Sequence, residues 1–215
     1  LMINKPQEQA LEIEGGYILL TNHQVKEADL KSEGAIRKLI EQMVVARMNN
    51  LVIFAQAFDQ KAIEALLGLH QMGFNVYAVN APYVNQSEIL QDIESVTGGK
   101  AILQDNGSLE DINLDSLGKF SKIKMRIMGG IIAGVDDNTE RKEKRIADLK
   151  AELEGEQSFF AKRKLEERIA SLNNKLAFLK IGAYVKDDRE RLKDKADDAV
   201  VSVRMAWNGG TVKGG

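Results

Sequence analysis

The sequence predicts an α/β protein with a helical hairpin built into it, and three observations carry that prediction. Short apolar runs alternate with helix-patterned segments from residue 11 to about 135; the chain then turns charged and nearly strand-free; one further apolar run and a charged helix close it. In order, "YILL" (17–20), "LVIFAQA" (51–57), "FNVYAVN" (74–80), "KAIL" (100–103), "KIKMRI" (122–127) and "GIIAGV" (130–135) read as strands between turn signals. Two helices lie among them. "SEGAIRKLIEQMVVARM" is expected to open at Ser32, whose hydroxyl suits an N-cap, with a glutamate beside it. "DQKAIEALLGLHQMG" is expected to open at Asp59 and stop at Gly73.

From Asp136 to Lys175 the charged stretch is interrupted once, near Gly155, and predicts an antiparallel hairpin. Ile146, Leu149 and Leu153 on its first arm, with Phe160, Leu165, Ile169 and Leu172 on its second, form a narrow apolar seam of the coiled-coil kind. After it come a strand, "LAFLKIGAY" (176–184), a charged helix from about Asp187 to Trp207, and a glycine-rich tail.

Composition removes several classes of function. The 215 residues carry 30 Lys and Arg against 32 Asp and Glu, a net charge of −2, so the chain lacks the positive field that nucleic acid or an anionic membrane attracts. With no cysteine and only His23 and His70, neither a disulfide framework nor a Cys- or His-rich metal site can form, and a reducing cytoplasm is the expected compartment. No apolar run approaches a membrane span. Residue 1 is leucine, so the chain is expected to be cut at its start as well as at its glycine-rich end.

Catalytic signatures are missing too. The Gly-Gly pairs beginning at Gly15, Gly98, Gly129, Gly209 and Gly214 match neither phosphate-loop nor dinucleotide-binding spacing. The two histidines sit in unrelated contexts and supply no oriented base for a nucleophile. Acidic pairs such as Asp136–Asp137, Asp187–Asp188 and Asp197–Asp198 read as solvated faces.

The two punctuated helices are more informative. At about 100° per residue, Ala62, Ile63, Leu66, Leu67 and Leu69 span roughly 160° of the second helix, wider than one sheet contact requires. Ile36, Leu39, Ile40, Met43 and Val44 make a similar stripe on the first. Either both helices are deeply buried, or an edge such as Ile63 and Leu67 faces solvent or a partner.

The segments "ILQDIESVTGGKAIL" (89–103), "SLEDI" (108–112), "SFFAKRKLEERIASL" (158–172), "FLKIGA" (178–183) and "ADDAV" (196–200), the last leading to the terminal "GGTVKGG", come in an order and spacing that resemble the group I chaperonins of the GroEL type. The resemblance implies an apical domain of the swivelling β/β/α kind over residues 1–174. It implies the C-terminal part of an intermediate domain over 175–215, leading into an equatorial domain that is absent. Less than half of a complete subunit is covered.

By position, the resemblance implies a groove for unfolded polypeptide and for the co-chaperonin lid at Met2, Ile40, Met43, Ile63, Leu67 and Gly68. Asp198 matches the carboxylate that positions water for ATP hydrolysis in the intact subunit, and Gly214 and Gly215 match nucleotide-contacting glycines. ATP and Mg²⁺ would serve the intact protein, which would assemble as a homo-oligomeric ring. The chain alone is expected to bind neither and to be non-catalytic. Two departures stand out: "VNAPYVNQSEILQDI" lacks the Gly-Phe-Gly-Asp loop that follows the proline in that family, and Asn174–Lys175 replace its hinge Gly-Gly. They leave room for a second expectation, a divergent apical-domain scaffold that holds a fixed partner without an ATPase cycle.

Overall fold

The computed structural model describes residues 2–126, 129–134, 139–173, 182 and 185–211. The chain divides into two compact units, Leu1–Asn174 and Lys175–Gly215. The first contains strands β1 (Ala10–Thr21), β2 (Gln24–Val25), β3 (Leu51–Ala55), β4 (Ala57–Phe58), β5 (Val76–Asn80), β6 (Ala101–Ile102), β7 (Gly118–Arg126) and β8 (Gly129–Gly134). Its helices are α1 (Ala35–Val45), α2 (Gln60–Gln71), α3 (Gln86–Thr97), α4 (Thr139–Gly155) and α5 (Phe159–Asn173). In the second unit the described helix is α6 (Lys186–Gly209). The strand expected at 176–184 lies, apart from Gly182, outside the described residues, as do Asn174, Lys175, Gly214 and Gly215.

The main sheet runs β5-β3-β1-β7-β8, with β6 joining β1 beyond the end of β7. β1 is long enough to serve three neighbours. Eight of its first nine residues pair antiparallel with β7, from Ala10 opposite Arg126 to Ile18 opposite Gly118. Tyr17 to Leu20 pair parallel with β3, and Leu20 and Thr21 parallel with β6. Gly16 has no room for a side chain, because a Cβ there would run into the backbone of Asn50 and the ring of Phe120.

Side chains alternate along these strands, so the sheet feeds two cores. Leu19, Leu51, Ile53, Val76 and Ala78 face α1 and α2, where Ile36, Leu39, Leu66 and Leu69 meet them. Ile18, Leu20, Val52, Phe54, Tyr77 and Val79 face the other way, onto Leu90 of α3 and Phe120 and Ile123 of β7. Every residue of β3 is buried, as expected of a parallel strand covered on both faces. On β1 and β7, Lys122 reaches Glu12 at 2.8 Å and Lys124 reaches Glu12 at 3.3 Å and Glu8 at 3.2 Å. The hydrogen bond from Lys122 holds the Glu12 carboxyl below its ordinary pKa, and the same bond raises that of Lys122.

Local chemistry accounts for one helix start and not the other. At α2, Asp59 Oδ1 accepts the Ala62 N–H at 2.6 Å while Oδ2 accepts the Glu27 N–H at 3.1 Å, so one carboxylate caps α2 and fixes the preceding 3-10 turn. The start of α1 departs from expectation: the cap is Gly34, not Ser32. A side chain at 34 would collide with the backbone of Ala28 and Asp29, so close approach of that turn selects glycine and moves the boundary by two residues. "LVIFAQA" is likewise two elements, because the chain leaves the main sheet at Gln56 and β4 pairs with β2 in a small separate sheet.

The charged segment folds as α4 and α5, and Ile146, Leu149, Leu153, Leu165, Ile169 and Leu172 form its seam together with Val96 of α3. Phe160 does not join them; it is 76% exposed beside Phe159, at the start of α5 where the hairpin turns. Nor is the hairpin self-contained. Asp92 of α3 accepts from Arg145 Nε at 2.8 Å and from Arg168 Nε and Nη2 at 2.7 and 2.9 Å. That hydrogen bonding holds the Arg168 guanidinium more firmly protonated than usual and locks both arms onto α3.

Candidate functional site

Helix α2 leaves part of its apolar surface uncovered by packing. Ala62, Leu66 and Leu69 are buried against the sheet, which uses one side of the helix. Ile63 and Leu67, four residues apart and therefore neighbours on the adjoining side, remain 38% and 45% exposed. Gly68 follows Leu67, and a Cβ placed there would meet nothing within 4 Å. The result is a shallow apolar ledge with open space beside it. Of the two outcomes the wide stripe allowed, α2 takes the second.

Helix α1 behaves differently, and here the expectation of open groove contacts at Ile40 and Met43 needs correction. Both are almost sealed, at 3% and 4% exposure, because they point into the same core as Leu39. The exposed apolar side chains of α1 are its last two, Val44 and Val45. Met2 is half-buried along the outer edge of β5: its N–H donates to Ala78 O at 2.9 Å, and its sulfur accepts the Ala78 N–H at 3.3 Å.

Behind the end of α1 opens a cleft of about 310 Å³, lined by the half-buried Met48 and Phe74 and the exposed Arg47, with Ile40 and Met43 contributing only the small part of their surface that is not sealed. Further uncovered apolar side chains are Tyr83 and Val84, in the loop between β5 and α3, and Phe159 and Phe160. Sequence periodicity missed Tyr83, Val84 and Phe159 because loops and helix ends have no period to break, and it wrongly placed Phe160 in the seam.

The remaining candidates offer little chemistry. Asp198 is exposed on α6; its carbonyl accepts the Ser202 hydroxyl at 2.8 Å, and its carboxylate has no partner among the described residues. Gly214 and Gly215 lie outside the described residues. His23 is half-buried, with Nε2 3.0 Å from Gly107 O. His70 rests edge-on against Tyr77, with a buried Nδ1 that has no partner among the described residues. No group of His, Asp and Glu among the described residues is placed to hold a metal ion, and no described helix is long and apolar enough to cross a membrane. What this surface can do is bind apolar side chains.

Comparison with known proteins agrees at the level of fold. No family model matches the sequence. Among solved structures, the chain is similar to the chaperonin gp146 from bacteriophage EL 2 (Pseudomonas aeruginosa), crystallised in two forms in the presence of ATP-BeFx. The TM-scores are 0.61 and 0.59 at 17% and 18% identity. The match covers 95% of this chain and 40% of that protein. The chain therefore has a chaperonin-like fold and spans about two fifths of the length of the chaperonin it resembles.

Proposed function

We propose that the chain is the polypeptide-holding part of a chaperonin-type subunit: an apical domain followed, from Lys175, by part of an intermediate domain. The observation that carries the reading is the Ile63–Leu67 ledge with Gly68 open beside it, on a chaperonin-like fold. Two aliphatic side chains left in water on a rigid helix are a standing source of binding free energy. A ledge with no polar partners to satisfy makes few demands on the sequence of what it holds.

Non-native polypeptide is the partner that fits, and a lid protein would compete for the same ledge. Met2 along β5 would border it. Ile40 and Met43 would contribute from beneath, by setting the position of α1, rather than by direct contact. Each contact is weak, so useful capture would come from several copies acting together in a ring.

The nucleotide cycle belongs to the intact subunit. ATP, held with Mg²⁺, would supply the free energy of phosphoryl transfer. From this chain, Asp198 would present a carboxylate to an attacking water, and Gly214 and Gly215 would lie against the nucleotide. The described residues contain no phosphate cradle, so the chain alone is expected to bind unfolded protein without hydrolysing ATP.

The test is capture of a chemically denatured client by the 215-residue chain, followed by suppression of light scattering. Ile63→Glu with Leu67→Glu is expected to abolish capture and leave the far-ultraviolet circular dichroism unchanged, because both side chains are exposed. Unchanged capture by the folded double variant would overturn the assignment.

A further inference from the structure

The turn that follows β6 carries an asparagine followed by a glycine, Asn106 and Gly107, with Asn106 exposed. That pair has a chemistry of its own. The Gly107 nitrogen can attack the Asn106 side-chain carbonyl carbon, closing a five-membered succinimide; the amide proton passes to the leaving nitrogen, which departs as ammonia. Water then opens the ring at either carbonyl and leaves aspartate or isoaspartate. Glycine favours the attack, because no side chain crowds its nitrogen and the backbone turns freely into the conformation required.

Nothing in the fold demands glycine at 107. Its φ is not positive, and a Cβ on it would make only ordinary contacts, 3.4 Å from Asp111 Oδ2 and 3.5 Å from Ile102 Cγ2. Alanine would fit. What the fold does is engage both reacting groups. Asn106 Oδ1 accepts the Leu103 N–H at 2.9 Å, and the Gly107 N–H donates to Leu103 O at 2.9 Å. Carbonyl and nucleophile are thus turned towards one residue, and Leu103 is itself fixed in the core at 3% exposure.

The same turn is clasped to the end of β1. His23 Nε2 donates to Gly107 O at 3.0 Å, the Gln104 N–H donates to Asn22 Oδ1 at 2.7 Å, and Gln104 Nε2 donates to Asn22 O at 2.9 Å. Because β6 pairs with β1 only at Leu20 opposite Ala101 and Thr21 opposite Ile102, these bonds make up much of its attachment. We infer that Asn106 is a self-modifying site gated by this clasp: conversion is slow while the turn is closed on Leu103 and β1, and fast once it opens. Isoaspartate routes the main chain through the former side-chain carbons, one atom longer between residues 106 and 107, which draws Gly107 O away from His23. Conversion therefore marks chains that have opened at this place and loosens β6 in them.

The test is timed incubation of the full 215-residue chain in mildly alkaline buffer, folded or in urea, with isoaspartate at each asparagine read by peptide mapping and mass spectrometry. In urea, Asn106 is expected to convert at a rate similar to that of Asn208, the other asparagine followed by glycine. In the folded chain it is expected to convert at least roughly tenfold more slowly, the protection that a few hydrogen bonds give against local opening. His23→Ala, which removes the tether to Gly107, is expected to speed conversion at Asn106 several-fold in the folded chain and leave that at Asn208 unchanged; Gln104→Ala, at an exposed position, is expected to act in the same direction. Gly107→Ala is expected to suppress conversion at Asn106 in urea, which separates the chemistry of the pair from its gate. Equal rates at Asn106 in the folded chain and in urea, an Asn106 inert in urea, or folded clasp variants that convert no faster than wild type would each overturn the inference.

Discussion

Glu12 shows how much a single side chain contributes beyond its own strand. It sits opposite Lys124 in the register of β1 and β7 and accepts from Lys122 as well, at 22% exposure, so the pair of strands is joined by charge as well as by backbone. Its pKa is lowered in the folded protein; the stabilisation is therefore present above the unfolded value near 4.5 and is lost as pH falls through the folded one. Lys122 is raised, so its share is present below its unfolded value near 10.5 and is lost as pH rises through the folded one. Glu12→Gln is expected to lower the urea midpoint at pH 7, with the gap to wild type closing towards pH 3. A gap of equal size at both pH values would mean that charge has no part in it.

At the scale of elements, the hairpin is the piece whose attachment was invisible in the sequence. Ile146, Leu149 and Leu165 announce a seam by spacing, and a two-helix coiled coil would have satisfied them. The third party is α3, through Val96 and Asp92, more than fifty residues away in the chain. Asp92 and Arg168 are each 13% exposed and Arg145 22%, so removing the shared carboxylate strands two guanidiniums in a poorly solvated place. Asp92→Asn is expected to cost about 3 kcal/mol, the usual penalty for breaking a buried pair from one side. It should appear as lost amide-exchange protection in α4 and α5, with β3 unchanged; full protection of the hairpin in the variant would rule the latch out.

For the molecule as a whole, the distribution of core residues matters most. All the buried hydrophobic side chains among the described residues fall between Ala10 and Leu172, within the first unit. A chain ending at Asn174 is therefore expected to unfold at the denaturant midpoint of the longer one, read by urea titration of both. A collapse of the shorter chain would show that residues 175–215 complete the core. The fold also depends on pairs remote in sequence, since β1 is not closed until β7 returns about a hundred residues later.

Taken alone, the sequence determined the α/β class, the main-sheet strands, helices α1 and α2, the Asp59 start of α2 and the two-armed hairpin, but it did not mark helix α3 or the small sheet of β2 and β4. The features it determined follow from periodicity and from side chains acting on their own backbone, which operate within a few residues. The excess width of the α2 stripe also marked Ile63 and Leu67. Tertiary structure alone decided that Ile40 and Met43 are sealed while Val44 and Val45 are not, that Gly34 displaces Ser32 as the cap, and that Phe160 leaves its seam for the surface. Each of those outcomes depends on which other segment arrives at that place, and a helical stripe records how much apolar surface exists without recording how much a neighbour will cover.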